Sequence, residues 1–118
     1  MLNRNMTGPM VYEPDHLSIA PGDTVKFLAT DKGHNAAVIE GMLLDGAAVF
    51  KGNINEEVAV TLTAEGLYGV KCSPHFAMGM AMPIEVGAAR AKATDRPEGL
   101  PSRAKTRFEE ILLRAGRH

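Results

Sequence analysis

Three side chains that bind soft metal ions lie within one nine-residue segment of the chain. They are the thiol of Cys72, the imidazole of His75 and the thioether of Met80. Pro74 and Gly79 favour turns, so the segment can bring the three side chains to one point. Thiolates and thioethers prefer soft metal ions, and imidazole binds copper as well as zinc and iron. The segment therefore predicts a metal site.

A fourth ligand is expected from a separate polar segment, residues 31–35, which contains His34. This segment follows a predicted strand, and the loops of a β-sandwich cluster at its ends, so His34 can meet the other ligands. Two imidazoles, one thiolate and a weak axial thioether are the ligand set of a blue-copper electron-transfer site. His16 and His118 lie outside both segments and are interpreted as surface residues.

Less specific explanations of these residues stay open at this point. An isolated cysteine is most often a small buried hydrophobic residue, and alternating Met78, Met80 and Met82 fit one face of a strand. Structural zinc normally takes four Cys or His ligands, whereas this chain has one cysteine and two well-placed histidines. Cys72 and His75 could also form a nucleophile and base, but no oxyanion-hole or substrate motif accompanies them.

Short strands separated by turns must position these residues. Hydrophobic runs in the first 87 residues are short, rich in β-branched residues and interrupted by turn signals. No amphipathic helix is interleaved between them, which favours a β-sandwich over a sheet of βαβ units. Pro83 cannot donate a ladder hydrogen bond, which predicts an edge position or a bulge for its strand. The predicted strands are 17–19, 24–28, 58–63, 67–72 and 81–86, with a loop-rich segment at 41–57.

The chain changes character after residue 87. Pro101 and Ser102 supply a helix start, and apolar residues then recur at helical spacing. Residues 88–97 are predicted to form a shorter helix. The predicted organisation is a β-sandwich with the metal site over residues 1–87 and a helical extension, packed on the same domain, over 88–118. The apolar stripe of the second helix is Ala104, Phe108, Ile111, Leu112 and Ala115.

Length and composition fit one soluble globular domain. The chain has 118 residues, of which 45% are hydrophobic and 23% are charged. Its formal charge of −1 divides into −5 for residues 1–87 and +4 for residues 88–118. Neither part has the basic and aromatic clustering of a nucleic-acid surface, and no apolar run reaches the roughly 18 residues that span a bilayer. The first twenty residues lack the apolar region of a signal peptide, so a cytosolic or a mature, processed chain is expected.

The sequence motifs around both ligand segments include many residues besides the expected ligands. They are Asp-Lys-Gly-His-Asn at 31–35 and Lys-Cys-Ser-Pro-His-Phe-Ala-Met-Gly-Met at 71–80, accompanied by the segments 1–3, 10–14 and 21–25. Over residues 1–87 the chain resembles the pseudoazurins, small blue-copper proteins of the cupredoxin superfamily. The resemblance implies an all-β fold, a cupredoxin-like Greek-key β-sandwich with a C-terminal helical extension.

The resemblance also implies the metal and its surroundings. One copper ion, alternating between Cu(I) and Cu(II), is expected to have three equatorial ligands and one axial ligand. Asn35 is expected to join the two ligand segments through Ser73 and to present its backbone amide to the sulfur. The implied ligands are His34, Cys72, His75 and axial Met80, and the implied neighbours are Asn35, Ser73 and Pro74.

By the same resemblance the protein is a monomeric periplasmic one-electron carrier and not an enzyme. A cytochrome would donate the electron, and a nitrite or nitrous oxide reductase of denitrification would accept it. A patch around His75, ringed by positive charge, would dock acidic redox partners, with no nucleic acid and no membrane insertion. The alternative is a copper storage or delivery protein without redox cycling. The implied docking residues are Arg4, Lys32, Lys51, Lys71, Pro74, Ala77 and Met78.

Overall fold

The computed structural model describes residues 1–6, 8–39, 50–88 and 100–115. Within these ranges the chain forms short strands, one 3₁₀ helix and one α-helix. The strands are β1 (Leu2–Asn5), β2 (Gly8–Val11), β3 (Leu17–Ile19), β4 (Asp23–Phe27), β5 (Ala37–Val38), β6 (Val58–Leu62), β7 (Gly66–Lys71) and β8 (Ala81–Val86). The 3₁₀ helix is Ser73–Met78, and the α-helix α1 is Ser102–Arg114.

The strands of the described residues form three hydrogen-bonded groups. The largest is a sheet in the order β3-β8-β7-β5, in which β3 and β8 are parallel and the other neighbours are antiparallel. Strands β4 and β6 pair antiparallel, and so do β1 and β2. Buried side chains of β4 and β6 share one core with those of β7 and β8. The predicted β-sandwich with a C-terminal helix is therefore confirmed.

Aromatic residues connect this core to the segment that carries His34. Val25 and Phe27 alternate along β4 and are both buried, as their spacing predicted. The ring of Tyr12 packs edge to face on Phe27, with the ring centroids 5.8 Å apart. The Tyr12 hydroxyl donates a hydrogen bond of 2.7 Å to the backbone oxygen of Asn35. The core thereby fixes the residue that follows His34.

Strand β8 does not lie at the edge of its sheet, so the edge position predicted for this strand from Pro83 is wrong. The strand lies between β3 and β7, and Pro83 pairs in register with Gly69 of β7. However, β3 pairs only with the segment from Ile84 to Val86. The stretch that contains Pro83 therefore has β7 as its only strand partner among the described residues. A proline is tolerated there because a short neighbouring strand makes the position a local edge.

His16 is not a simple surface residue, which corrects the prediction made for it. Its Nε2 lies 2.5 Å from Oε1 of Glu85, and the side chain is only 21% exposed. Glu85 is fully buried in β8. A single histidine has no periodicity, so its sequence neighbours could not indicate this contact. His118, the predicted helix beyond residue 88 and the part of the 41–57 segment up to residue 49 lie outside the described residues.

Helix α1 packs on the sandwich through the predicted apolar stripe. It contacts β8 and the 3₁₀ helix. At its middle, the Arg107 guanidinium donates to the backbone oxygens of Pro9 and Met10, and at its end Arg114 forms two hydrogen bonds with Asp15. No helix within the described ranges combines the length and the apolar character that crossing a membrane requires. The buried stripe consists of Ala104, Phe108, Ile111 and Leu112.

Replacing Leu62 tests the assignment of the core. Leu62 is fully buried, so Leu62→Ala is expected to lower the free energy of unfolding by about 2–5 kcal/mol, through lost burial and a residual cavity. Leu113→Ala is the matched control, because Leu113 is 50% exposed and its truncation should change stability by no more than about 0.5 kcal/mol. Denaturant unfolding of the metal-free protein measures both, and equal losses would contradict the assignment.

Candidate metal centre

The structure brings three of the predicted ligands together. One ligand atom each from His34, Cys72 and His75 lies within 4.8 Å of the others. The Cys72 Sγ is 3.5 Å from His75 Nδ1 and 3.8 Å from His34 Nδ1. The two imidazole rings are tilted against each other with their centroids 4.8 Å apart. Both rings therefore present Nδ1 to the same sulfur, as ligands of one ion would.

Backbone hydrogen bonds fold residues 72–80, named here the ligand loop, into a compact turn between β7 and β8. The N–H of His75 donates to the oxygen of Cys72, and the N–H of Met80 donates to the oxygen of His75. The N–H of Cys72 in turn donates to the oxygen of Met80, at 3.0 Å. These bonds bring Met80, which is fully buried, next to the other two ligands of the loop.

His34 is held by two asparagines that sequence reasoning missed. Because Nδ1 faces the sulfur, we assign the proton to Nε2, which donates to Oδ1 of Asn3 at 2.7 Å. Metal-binding histidines commonly donate their second ring N–H in this way, which fixes the tautomer and the ring orientation. Asn55 donates its N–H to the oxygen of His34 and accepts a hydrogen bond from Gly33. Neither asparagine lies near a ligand in the sequence, so no local pattern could have identified them.

Asn35 links the two ligand-bearing segments. Its Oδ1 accepts the N–H of Ser73 at 2.6 Å, and its Nδ2 donates to Ser73 Oγ at 3.3 Å and to the oxygen of Gly52 at 3.0 Å. Its backbone N–H, like that of His75, acts to lower the pKa of the Cys72 thiol. Pro74, the third neighbour implied by the resemblance, is exposed in the first turn of the 3₁₀ helix.

The environment favours neutral ligands until a cation binds. Burial raises the pKa of the Cys72 thiol, and the N–H groups of Asn35 and His75 oppose this rise. Burial also lowers the pKa of His34, and the nearby His75 lowers it further. The imidazole of His34 is thus held in its neutral, metal-binding form. A soft cation would displace the thiol proton and gain a thiolate ligand.

The donor set fits copper better than structural zinc. Within the described residues, the cluster consists of one cysteine and two histidines, and no further cysteine, histidine, aspartate or glutamate completes it. Structural zinc normally has four Cys or His ligands. Two imidazoles and a thiolate with a weak axial thioether match a type 1 copper site. Met80, packed beside Cys72 and His75 by the backbone of the ligand loop, supplies that thioether.

Comparison with known proteins agrees with this assignment. The family model of copper-binding proteins of the plastocyanin/azurin family matches residues 1–87. The chain therefore belongs to this family of copper-binding proteins, and His34, Cys72, His75 and Met80 form its type 1 copper site.

The more specific resemblance is to pseudoazurins. Pseudoazurin of Paracoccus pantotrophus is 46% identical over 120 residues, which cover 95% of this chain and 78% of that protein. Pseudoazurin of Methylorubrum extorquens is 47% identical over 90 residues, which cover 76% of this chain and 61% of that protein. The crystal structure of pseudoazurin from Hyphomicrobium denitrificans superposes with a TM-score of 0.82 at 34% identity and covers 95% of this chain and 91% of that one. The predicted cupredoxin fold, copper cofactor and resemblance to pseudoazurins are confirmed.

Removing the thiolate tests the copper assignment. Cys72→Ser nearly preserves side-chain size, but the hydroxyl is a harder and less covalent ligand for copper. We expect the variant to fold, as judged by circular dichroism, and to lack the intense visible thiolate-to-copper band that we expect of wild type after Cu(II) addition. Retention of that band in the variant would remove Cys72 from the site.

Replacing Asn35 tests the link between the two segments. Asn35→Ala leaves the buried oxygen of Gly52 and the N–H of Ser73 without these partners, so the free energy of unfolding of the metal-free protein should fall by about 1–3 kcal/mol. Ser73→Ala is the control, because it keeps the N–H and loses only the 3.3 Å contact of its hydroxyl. Its cost should stay within about 0.5 kcal/mol. A larger cost for Ser73→Ala than for Asn35→Ala would refute the assigned link.

Proposed function

We propose that this chain is a periplasmic one-electron carrier, and not an enzyme, that accepts electrons from a cytochrome and delivers them to a nitrite or nitrous oxide reductase of denitrification. The observation that carries the proposal is the unequal exposure of the ligands. His34, Cys72 and Met80 are fully buried, whereas His75 is half-buried on a loop at the surface. Copper supplies the one-electron redox change when bound. The protein's part is to hold the ligands and to give electrons one route out.

The burial of three ligands supports electron transfer over substrate chemistry. A reacting molecule needs an open coordination position that it can reach, as in catalytic metal sites. Here the side chains of His34, Cys72 and Met80 expose no surface. The backbone oxygen of Asn35 already accepts the Tyr12 hydroxyl, and that of His34 accepts the N–H of Asn55. An electron can pass where a substrate cannot enter.

The surface around His75 suits a short-lived contact with another protein. We name the residues Pro74, His75, Ala77 and Met78 the exit face. Pro74, Ala77 and Met78 are exposed, and Met78 has 39% of its surface exposed. These side chains are apolar and carry no charge that would have to be dehydrated on contact. A partner that covers the exit face would lie directly against the imidazole of His75.

Basic side chains stand beside the ligand segments. Lys71 lies with its ammonium 5.3 Å from the ring centroid of Phe76, inside the ligand loop. Lys32 precedes His34 by two residues, and Arg4 adjoins the Asn3 that hydrogen-bonds His34. Lys51 pairs with Ala37 in an isolated bridge next to the Asn35 segment. Their charge favours an acidic partner, and exposed charges of this kind raise the association rate more than the affinity.

Charge reversal tests the docking proposal. The triple variant Lys32→Glu, Lys51→Glu, Lys71→Glu should slow electron transfer to an acidic nitrite reductase by about tenfold at low salt, the lower end of what steering contributes. Its visible spectrum should stay that of wild type. Lys26→Glu, within β4 and outside the ligand segments, is the single-charge control and should have a small effect.

Salt provides the independent check. The wild-type rate constant should fall as ionic strength rises, because charges beyond a Debye length of about 8 Å are largely screened at physiological salt. A rate constant that does not change with salt would defeat the docking proposal. A colourless protein after Cu(II) addition would defeat the carrier itself and leave the storage or delivery alternative.

A further inference from the structure

The backbone of the ligand loop touches the first turn of α1 at Gly79. Gly79 has φ +92°, and a Cβ at this position would lie 2.9 Å from the carbonyl oxygen and 3.2 Å from the carbonyl carbon of Arg103. These are backbone atoms of a helix, so they cannot move aside as a flexible side chain would. The helix and the loop are thus in direct contact one residue before the axial ligand Met80.

A second contact between the same loop and α1 involves Phe76. Phe76 follows His75 and packs against a buried cluster formed by Ile39, Ala81, Leu100 and Phe108. Phe108 is the contribution of α1 to this cluster and is 1% exposed. The α1 helix therefore supports the loop both next to His75 and next to Met80.

Hydrogen bonds within the loop connect these two contacts. The N–H of Gly79 donates to the oxygen of Phe76 at 2.9 Å, and the N–H of Met80 donates to the oxygen of His75 at 3.2 Å. A shift of Phe76 or Gly79 would therefore displace the ligands His75 and Met80. We propose that α1 is a positioning element of the copper site, which holds His75 and Met80 in place through Phe108 and through the backbone of Arg103.

In this role the C-terminal helix does more than cover β8. The family model ends at residue 87, so α1 lies outside the part of the chain that this model matches. The electronic properties of a type 1 site depend on the axial ligand and on the groups that orient the equatorial ones. A helix that packs on the loop can determine the positions of the axial ligand and of an equatorial ligand without supplying a ligand itself. This inference concerns the copper site and does not depend on the proposed redox partner.

The test compares two truncations on the same buried face of α1. Phe108→Ala removes the side chain that belongs to the Phe76 cluster. Leu112→Ala, one turn further from the first turn of the helix, is the control, because Leu112 is equally buried at 1% exposed. Arg103→Ala is a second control, since it keeps the backbone atoms and the Cβ that face Gly79.

Two readouts separate positioning from general stability. In the copper-loaded protein, Phe108→Ala should shift the intensity ratio of the visible bands, the EPR spectrum and the reduction potential. In the metal-free protein it should speed amide hydrogen exchange at Gly79 and Met80 relative to amides of β7. Leu112→Ala should lower the free energy of unfolding and leave these readouts as in wild type, and Arg103→Ala should leave the spectra and the exchange unchanged.

A graded variant keeps the test decisive if Phe108→Ala does not fold. Phe108→Leu loses less volume, so it should shift the spectrum, the potential and the exchange in the same direction by a smaller amount. Wild-type spectra and exchange in the Phe108 variant that folds would overturn the proposal. Equal shifts in the Phe108 and Leu112 variants would also overturn it, because they would assign the effect to general destabilisation.

Discussion

The burial of the Cys72 sulfur is the constraint on which the rest of the site depends. A buried thiolate is costly unless hydrogen bonds and a cation replace its hydration. Burial raises the pKa of the Cys72 thiol, and the backbone N–H groups of Asn35 and His75 are the protein's own compensation. Each N–H belongs to a segment that also carries a histidine ligand. Stabilising the sulfur and bringing the two segments together are therefore one structural requirement, and Asn35 meets it with its side chain as well as its backbone.

The elements that hold the copper ligands in place and the surface that a partner protein can reach are different parts of the molecule. The sandwich holds His34 through Tyr12, Asn3 and Asn55, all of which act on the segment between β4 and β5. The ligand loop, in contrast, has the sheet on one side and α1 on another. Within the described part of the chain, the exit face around His75 is exposed. One ligand can thus meet a partner protein while the other three keep their surroundings.

Strands in which apolar and polar residues alternate were predictable from the sequence. The predictions failed where pairing between distant segments determined the structure. The predicted ends of β4, β6 and β7 agree with the structure to within about one residue, the usual scatter of such boundaries. Strand β1, with the polar sequence Leu-Asn-Arg-Asn, and the two-residue strand β5 have no pattern that could reveal them. The edge position predicted from Pro83 was wrong for β8 as a whole because the tolerance of proline there depends on where β3 begins. The contact of His16 with Glu85 joins residues 69 positions apart, which no local signal reports.

The sequence by itself determined the chemistry of this protein. A thiol, two imidazoles and a thioether in this order, with turn residues between them, specify a soft-metal site because ligand type and local spacing are properties of the chain alone. The tertiary structure decided which ligand reaches the surface, which asparagines orient His34, and that α1 lies against Gly79. Each of these depends on the approach of segments far apart in sequence, and such approaches are fixed by the packing of the whole core rather than by neighbouring residues.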